Sequence, residues 1–338
     1  MRSSYRTSML VKDGPISSRY LYNIEENRYG PRRNGESLPV GDPAIESERT
    51  IPKGRRLRGI GMDGQHTIGI AGVGKMGEAL VRGLLVGHVF PRARIFVSDA
   101  IPPRAKEVSA KHGVGFSETV QDLAGRADIL VLAAKPKDMA ALVEAIGPRL
   151  KKDALVISLA AGVRTSFIEK GLARRGRVVR IMPNLACAVG EGATAFALGK
   201  TATEHDALTV EEIFGAIGRV TMVEEKMLDA VTGLSGSGPG FIAALAHSMI
   251  EGGVRSGLPR EVAYKLTLQT MKGTAELLLI DGLEPMQLFR MVATPNGTTE
   301  AGWKVMKARG VPSAISDGIV AASARAAELA SEVARSHR

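Results

Sequence analysis

The chain reads as a parallel, doubly wound α/β sheet followed by an all-α domain, and three observations carry that expectation. From His66 a short β-branched run passes through a glycine-rich turn into apolar residues at helical spacing. An alternation of short apolar runs and helix-compatible segments follows, the signature of repeated β-α units. After Glu225 the alternation stops, and six segments of helical character are separated by Gly, Pro or Thr-rich turns. A chain of 338 residues is long enough for two domains. They are divided here at 62–225 and 226–338, with 1–61 as an extension expected to be disordered.

The first unit is HTIGIAGVGKMGEALVRGLLVGH, in which Met76, Leu80 and Leu84 recur at helical spacing behind the strand. Gly72 permits the tight turn, Gly74 lets the backbone approach a pyrophosphate, and Gly77 lets the helix pack on the strand. Val73, Lys75 and Met76 complete the turn, where free N–H groups at the helix start face an anion. A bare GxGxxG is weak, but one between a strand and a helix is a dinucleotide fingerprint and implies a Rossmann-like sheet. RIFVSDA follows as a second strand, then DILVLAAKP, ALVISLAAG, VVRIMPN, TAFALG and GRVTMVEE as strands extending one parallel sheet covered on both faces. Ligands in such sheets lie beyond the carboxyl ends of the strands. That rim holds Ala134, Lys135 and Pro136, then Ala161 and Gly162, then Asn184. Lys135 has two readings, a coenzyme neighbour or a solvated surface charge.

Asp99 ends the second strand, 22 residues after Gly77, where an acid ordinarily accepts hydrogen bonds from adenosine ribose hydroxyls. A carboxylate there repels a 2′-phosphate and favours NADH, while Arg104 is the nearest phosphate partner for NADPH. Both coenzymes stay open.

The helical half is expected at 226–233, 238–257, 259–281, 284–292, 300–309 and 313–336. The second of these, GPGFIAALAHSMIEGGVRSG, is apolar on nearly all sides, more than one domain's own surface readily covers. His247 within it, without a neighbouring acid or cysteine in sequence, reads as a packing residue rather than a catalyst. Further on, TPNGTT at 294–299 is turn chemistry followed by a helix, with Thr298 or Thr299 placed as its N-cap. The plain reading is a capped helix after a tight turn. The functional one is a cradle of free N–H groups and hydroxyls for a small carboxylate.

Composition narrows the classes. The net charge of +10 suggests nucleic acid, yet residues 1–61 alone hold 12 Lys or Arg against 7 Asp or Glu, so half of the excess lies outside the recognisable fold. Basic residues elsewhere are mixed with acids and few aromatics, and nucleic-acid binding is not expected. No stretch reaches the roughly 18 uninterrupted apolar residues of a membrane span. A single cysteine, Cys187, leaves no internal disulfide and no multi-cysteine metal cluster, and no metal site is expected. A reducing, cytoplasmic setting fits. The arginines of 1–61 also suit a transit peptide, but its glutamates depart from the acid-poor composition of such segments, and a further reading has the working protein begin near Met62.

Several motifs taken in order, GVGKMG at 72–77, AAKPKDM at 133–139, SLAAGV at 158–163, RIMPN at 180–184, VTGLSGSGPG from 231 and VATPNGTTEAGWKVM at 292–306, resemble pyrroline-5-carboxylate reductase. The resemblance implies reduction of 1-pyrroline-5-carboxylate to L-proline, the last step of proline biosynthesis, with NADPH or NADH. It also implies a dimer with interlocking C-terminal helices, often built into larger homo-oligomers. It places the loops at Lys135-Pro136 and Ala161-Gly162 beside the coenzyme and the Asn184 loop at the nicotinamide end. By resemblance to the family's SPGGTT segment, Thr294, Asn296, Gly297 and Thr298 hold the substrate carboxylate and Thr299 reaches the ring nitrogen. Here Thr294 replaces Ser and Asn296 replaces the first Gly. Asn tolerates a left-handed backbone, but its side chain narrows the pocket, which leaves room for a related cyclic imino acid. Two rivals share the coenzyme fold. A β-hydroxyacid dehydrogenase carries a Lys and an Asn where this chain has Ile242 and Ala246, neither able to move a proton; a dinucleotide-sensing protein without turnover is the other.

Overall fold

A computed structural model describes residues 66–173 and 175–336. The extension expected at 1–61 lies outside the described residues.

Eight strands form one sheet: β1 (Ile68–Ala71), β2 (Ile95–Ser98), β3 (Gly115–Phe116), β4 (Ile129–Leu132), β5 (Leu155–Ser158), β6 (Arg177–Met182), β7 (Gly192–Leu198) and β8 (Gly218–Met222). Their spatial order is β3-β2-β1-β4-β5-β6-β7-β8, with every neighbouring pair parallel except β6 and β7. The reversal corrects the all-parallel expectation. A parallel return needs a crossover of a dozen or more residues, and the link after Met182 holds only a short 3₁₀ turn at Leu185–Val189. β7 and β8 are then joined by a full helix, α6 (Glu204–Gly215), and are parallel to each other. The two-residue β3, read in sequence as part of a helical link, exists because Gly115 has no side chain. A Cβ there would overlap the Phe96 ring on β2.

β1, β4 and β5 are buried on both faces, which is why they read as continuous apolar runs rather than alternating ones. The alternation reappears in what each residue touches. Ile68, Ile70, Val131, Ile157 and Val179 pack under α1 (Lys75–Val86), α2 (Pro102–His112) and α6; Leu130, Leu132 and Val156 pack under α3 (Val120–Arg126), α4 (Met139–Ile146) and α5 (Thr165–Gly171). Each fully buried Leu or Ile stabilises the fold by about 1.5–3 kcal/mol relative to exposure.

After β8 the chain is helical: α7 (Leu228–Val231), α8 (Gly238–Arg255), α9 (Arg260–Asp281), α10 (Pro285–Val292), α11 (Thr298–Ala308) and α12 (Val311–Ser336). The gap expected between 233 and 238 is instead a π-turn over Thr232–Gly236 that carries α7 into α8, closed by Ser237 N–H donating to the Thr232 carbonyl at 2.9 Å. A Cβ on Gly233 would overlap Ser323 of α12, so this bare backbone lets α12 lie directly on the π-turn.

One ionic cluster ties this helical region to the sheet. Arg180 on β6, 2% exposed, donates to Asp229 Oδ1 of α7 at 3.2 Å and lies 3.8 Å from Glu225. Glu225 in turn accepts from Thr165 N–H at 2.7 Å and Thr165 Oγ1 at 3.0 Å at the start of α5.

Burial in the helical region is sparse. On α8 only Ala246 and Ile250 are buried, while Phe241, Ile242, Leu245 and Met249 face outward. His247, expected as a packing residue, is exposed as well. No helix among the described residues is long and apolar enough to cross a membrane.

Glu212 of α6 has a buried carboxyl oxygen, Oε2, without a hydrogen-bond partner among the described residues, and burial pushes its pKa up. An acid raised in the folded state costs nothing below the ordinary carboxylate range; the cost enters as pH rises through the raised value. Glu212→Gln is expected to raise the thermal midpoint at neutral pH, with the gain vanishing below about pH 4. An equal gain at both pH values in thermal denaturation would contradict ionisation as the cause.

Candidate functional site

The glycine turn between β1 and α1 has the expected division of labour. Gly72 has φ +97, and a Cβ on it would stand 2.7 Å from the Ala133 carbonyl at the end of β4. Gly77 faces the Gly72 carbonyl so closely that no side chain fits. Gly74 is different: a Cβ there meets nothing within 4 Å, so only space in front of the turn is at stake. Gly74 caps α1 without a side-chain hydrogen bond, and the amides of Lys75, Met76 and Gly77 have no acceptor within the helix. The result is an anion cradle with room before it.

Asp99, at the carboxyl end of β2, is fastened to this turn. Its Oδ2 accepts from Val73 N–H at 2.8 Å and its Oδ1 from Ile101 N–H at 2.9 Å. Along the same rim Ala134 and Pro136 are half-buried and Lys135 is exposed, its carbonyl accepting from Asp138 N–H at 2.9 Å. After β5, Ala161 is half-buried, while Gly162 has φ +75 and presses on the backbone of Ala330 in α12, where a Cβ would come within 2.9 Å. The missing side chain at Gly162 is thus explained by helix packing. Asn184, after β6, is a clamp: Nδ2 donates to the Ser235 carbonyl in the π-turn and Oδ1 accepts from Ala193 N–H, both at 3.2 Å. Between these parts lies a cavity of about 230 Å³ bounded by Lys75 and Met76 on α1, Asn184 and Leu185 on the loop, and Gly236 on the π-turn. Leu185 and Gly236 were not expected at this site. Only the π-turn brings Gly236 there, and no local periodicity announces that.

A larger cleft, about 380 Å³, opens at the opposite, amino ends of the strands. Two of its acids are engaged, Asp128 by Lys151 and Thr67 N–H and Asp206 by Arg177. It lies at the wrong end of the sheet for a dinucleotide.

The Thr294–Gly297 turn is closed by Gly297 N–H donating to the Thr294 carbonyl at 2.9 Å, with Asn296 at φ +59. Pro295 followed by a left-handed residue is the type II pattern, so Asn296 occupies the position that glycine would favour. A Cβ on Gly297 would overlap Thr294 Oγ1, so any side chain there has to displace that hydroxyl. The N-cap of α11 is Gly297, not Thr298 or Thr299, which are instead its first helical residues. The reason is the third helical residue: Glu300 accepts from Asn296 N–H at 2.6 Å and starts the helix one residue early. Hydrogen bonds from Lys304 and from that amide hold the Glu300 carboxyl below its usual range. Thr298, Thr299 and Glu300 therefore present amides free of helical acceptors, with Thr294, Asn296 and Thr298 exposed and Thr299 half-buried. No residue of this turn lines the cavity beside Lys75.

A doubly wound sheet with a bare, amide-rich glycine turn, followed by a helical region, defines the class of dinucleotide-dependent oxidoreductases. The comparisons with known proteins narrow it. Residues 225–329 match the family model for pyrroline-5-carboxylate reductase dimerisation, and residues 67–162 match that for NADP oxidoreductase, coenzyme F420-dependent. A pyrroline-5-carboxylate reductase of Methanosarcina acetivorans is 39% identical, over 78% of this chain and 97% of the relative. The structure of a pyrroline-5-carboxylate reductase from Coxiella burnetii superposes with a TM-score of 0.74 at 33% identity, over 78% of this chain and 98% of that one. The crystal structure of Plasmodium falciparum pyrroline carboxylate reductase with NADP bound gives 0.70 at 27%, over 79% and 99%. The chain belongs to the pyrroline-5-carboxylate reductase family.

The glycine geometry separates folding from binding. Gly77→Ala is expected to lower stability by several kcal/mol, on the scale of severe overpacking. Gly74→Ala should melt like the parent yet bind a dinucleotide at least about ten-fold more weakly, since one methyl group then occupies the space before the amides. Calorimetric melting and dinucleotide titration of both variants check this; unchanged binding by Gly74→Ala would make the turn purely structural.

Proposed function

We propose that this chain reduces 1-pyrroline-5-carboxylate to L-proline with a hydride from NADPH or NADH. The observation that carries the reading is the Thr294–Thr299 turn, whose left-handed Asn296, bare Gly297 and free helix-start amides suit a small carboxylate, in a helical region matched to this family. Held by the Gly72–Gly77 turn, a reduced nicotinamide coenzyme would supply the hydride for the carbon of a protonated imine, whose nitrogen would keep the electron pair of the C=N π bond. The residues of the chain position and hold. The turn from Gly72 through Val73, Gly74, Lys75 and Met76 to Gly77 takes the pyrophosphate, and Asp99 takes the adenosine ribose. Ala134, Lys135, Pro136, Ala161 and Gly162 border the coenzyme, and Asn184 shapes the nicotinamide end through its hold on the π-turn. Thr294, Asn296, Gly297 and Thr298 hold the carboxylate, and the Thr299 hydroxyl meets the ring nitrogen. No strong base is required, because a protonated imine is already electrophilic and orientation provides most of the rate.

The active form is a homodimer or a larger homo-oligomer. The outward Phe241, Ile242, Leu245 and Met249 of α8 are apolar surface suited to a second copy. The same assembly is proposed to bring the Thr294–Thr299 turn of one copy to the coenzyme cleft of another, since no residue of the turn lines that cavity within one chain. The compartment is the cytoplasm. Ile242 and Ala246 cannot serve as the proton-transferring pair of a β-hydroxyacid dehydrogenase.

Purified protein is expected to oxidise NADH or NADPH with pyrroline-5-carboxylate and not with a 3-hydroxy acid offered in parallel. Activity confined to a six-membered cyclic imine would move the substrate and keep the reaction class. Absence of turnover with every imine would leave the sensing reading. Thr299→Ala should lower kcat by roughly ten-fold or more, because its contact changes as the charge on nitrogen changes, whereas Thr294→Ala should mainly raise KM. Leu245→Glu should shift the mass in solution toward a monomer by light scattering; an unchanged mass would mean that α8 is not the interface.

A further inference from the structure

We propose that the corner between β2 and α2 makes this chain selective for NADH over NADPH. The inference rests on the coenzyme site assigned above and adds what that assignment left open. The family model matched to this half is described as an NADP oxidoreductase, so selectivity has to be read from the corner itself.

Three features of the corner act in one direction. The carboxylate of Asp99 is pinned: each oxygen accepts a backbone amide, Val73 N–H of the glycine turn on one side and Ile101 N–H on the other. It cannot swing aside for a phosphate without leaving both amides unpaired. Each oxygen keeps a further lone pair, which suits the hydroxyl donors of an unmodified ribose.

The second feature is the start of α2. A helix amino end ordinarily offers amides to an anion. Here the first two helical residues are Pro102 and Pro103, which have no N–H, and the amide of the third, Arg104, already donates to the Ile101 carbonyl at 3.0 Å. This helix therefore holds out no free amide in its first three residues. Residues 99–104, DAIPPR, contain no hydroxyl side chain either.

The third is the supply of cations. Lys106 lies over the Phe116 ring at 5.5 Å and Lys111 is paired with Glu78 at 2.8 Å, so both are directed elsewhere. Arg104 alone stands in the first turn of α2, exposed, where water screens its charge. Among the described residues, a 2′-phosphate at this corner would meet a fixed negative charge and the solvated Arg104, with no amide from the first turn of the helix. A 2′-hydroxyl would meet an acceptor.

The test is direct binding of NADH and NADPH to the full chain by titration calorimetry, which needs no imine and no turnover. NADH is expected to bind about ten-fold or more tightly than NADPH, the scale of one like-charge contact in a partly exposed site. Asp99→Asn keeps the shape and an acceptor while removing the charge, and should narrow the ratio several-fold. Pro103→Ser on that background, which returns an amide and adds a hydroxyl, should narrow it further. NADPH binding as tight as NADH, or an Asp99→Asn variant with an unchanged ratio, overturns the selectivity and leaves the reductase reading standing. Binding of neither coenzyme removes both.

Discussion

The guanidinium of Arg180 is out of water in the middle of the molecule, and much of the architecture follows from keeping it paired. Asp229 and Glu225 both come from the first helical residues after the sheet, so satisfying Arg180 docks the helical region onto β6. Removing one partner of such a buried cluster typically costs about 3–5 kcal/mol, because a charge is left behind in low dielectric. The cluster also reaches α5 through Thr165, so one strand residue sets the relation of a sheet helix to the second region. Two residues beyond Arg180 the strand ends at Met182, whose methyl packs on Gly236, and Asn184 then holds the Ser235 carbonyl. The ionic anchor and the cavity wall are thus consecutive parts of one strand and its loop.

On the coenzyme side the equivalent constraint is close approach. The glycine turn lies against β4 so tightly that Gly72 is nearly in contact with Ala133, and Gly77 with Gly72 itself. That compactness places the start of α1 at the carboxyl ends of β1 and β4, and it leaves Gly74 alone with open space before it. Asp99 draws the end of β2 into the same turn by accepting from Val73 N–H, so this carboxylate has a folding role at the mouth of the glycine turn. The helical region is organised the other way. α8 and α9 meet through small residues, with Gly253 against Ala263, and their large apolar side chains point away from the chain's own core. A region that leaves this much apolar surface uncovered by the other described residues suits association, in keeping with its match to a dimerisation model.

Local chemistry made a large part of this legible without coordinates. Strand, glycine turn and helix at 66–88, the acid at Asp99 and the proline–asparagine–glycine turn at 295–297 are each set by backbone sterics and hydrogen-bonding capacity within a few residues. Those forces act the same way in any surroundings, and the left-handed Asn296 is a case where the reading and the coordinates coincide. The apolar wrapping of α8 was likewise visible as composition. The order of motifs along the chain was enough to place it in its family.

What only the tertiary structure decided are matters of distance between segments far apart in sequence. The reversal of β7 follows from how short a link must bridge two strand ends. The π-turn at Thr232–Gly236 meets α12 across its bare Gly233, about 90 residues away in the chain. Gly162, expected beside the coenzyme, also has its bare backbone against Ala330, 168 residues later in the chain. Arg180 drew no attention in sequence, since a charged residue inside a strand announces itself only when its partners, 45 and 49 residues on, are seen to be buried with it. Periodicity and turn chemistry report a residue's own neighbourhood, whereas pairing across the fold depends on which distant surfaces the packing brings within hydrogen-bond reach.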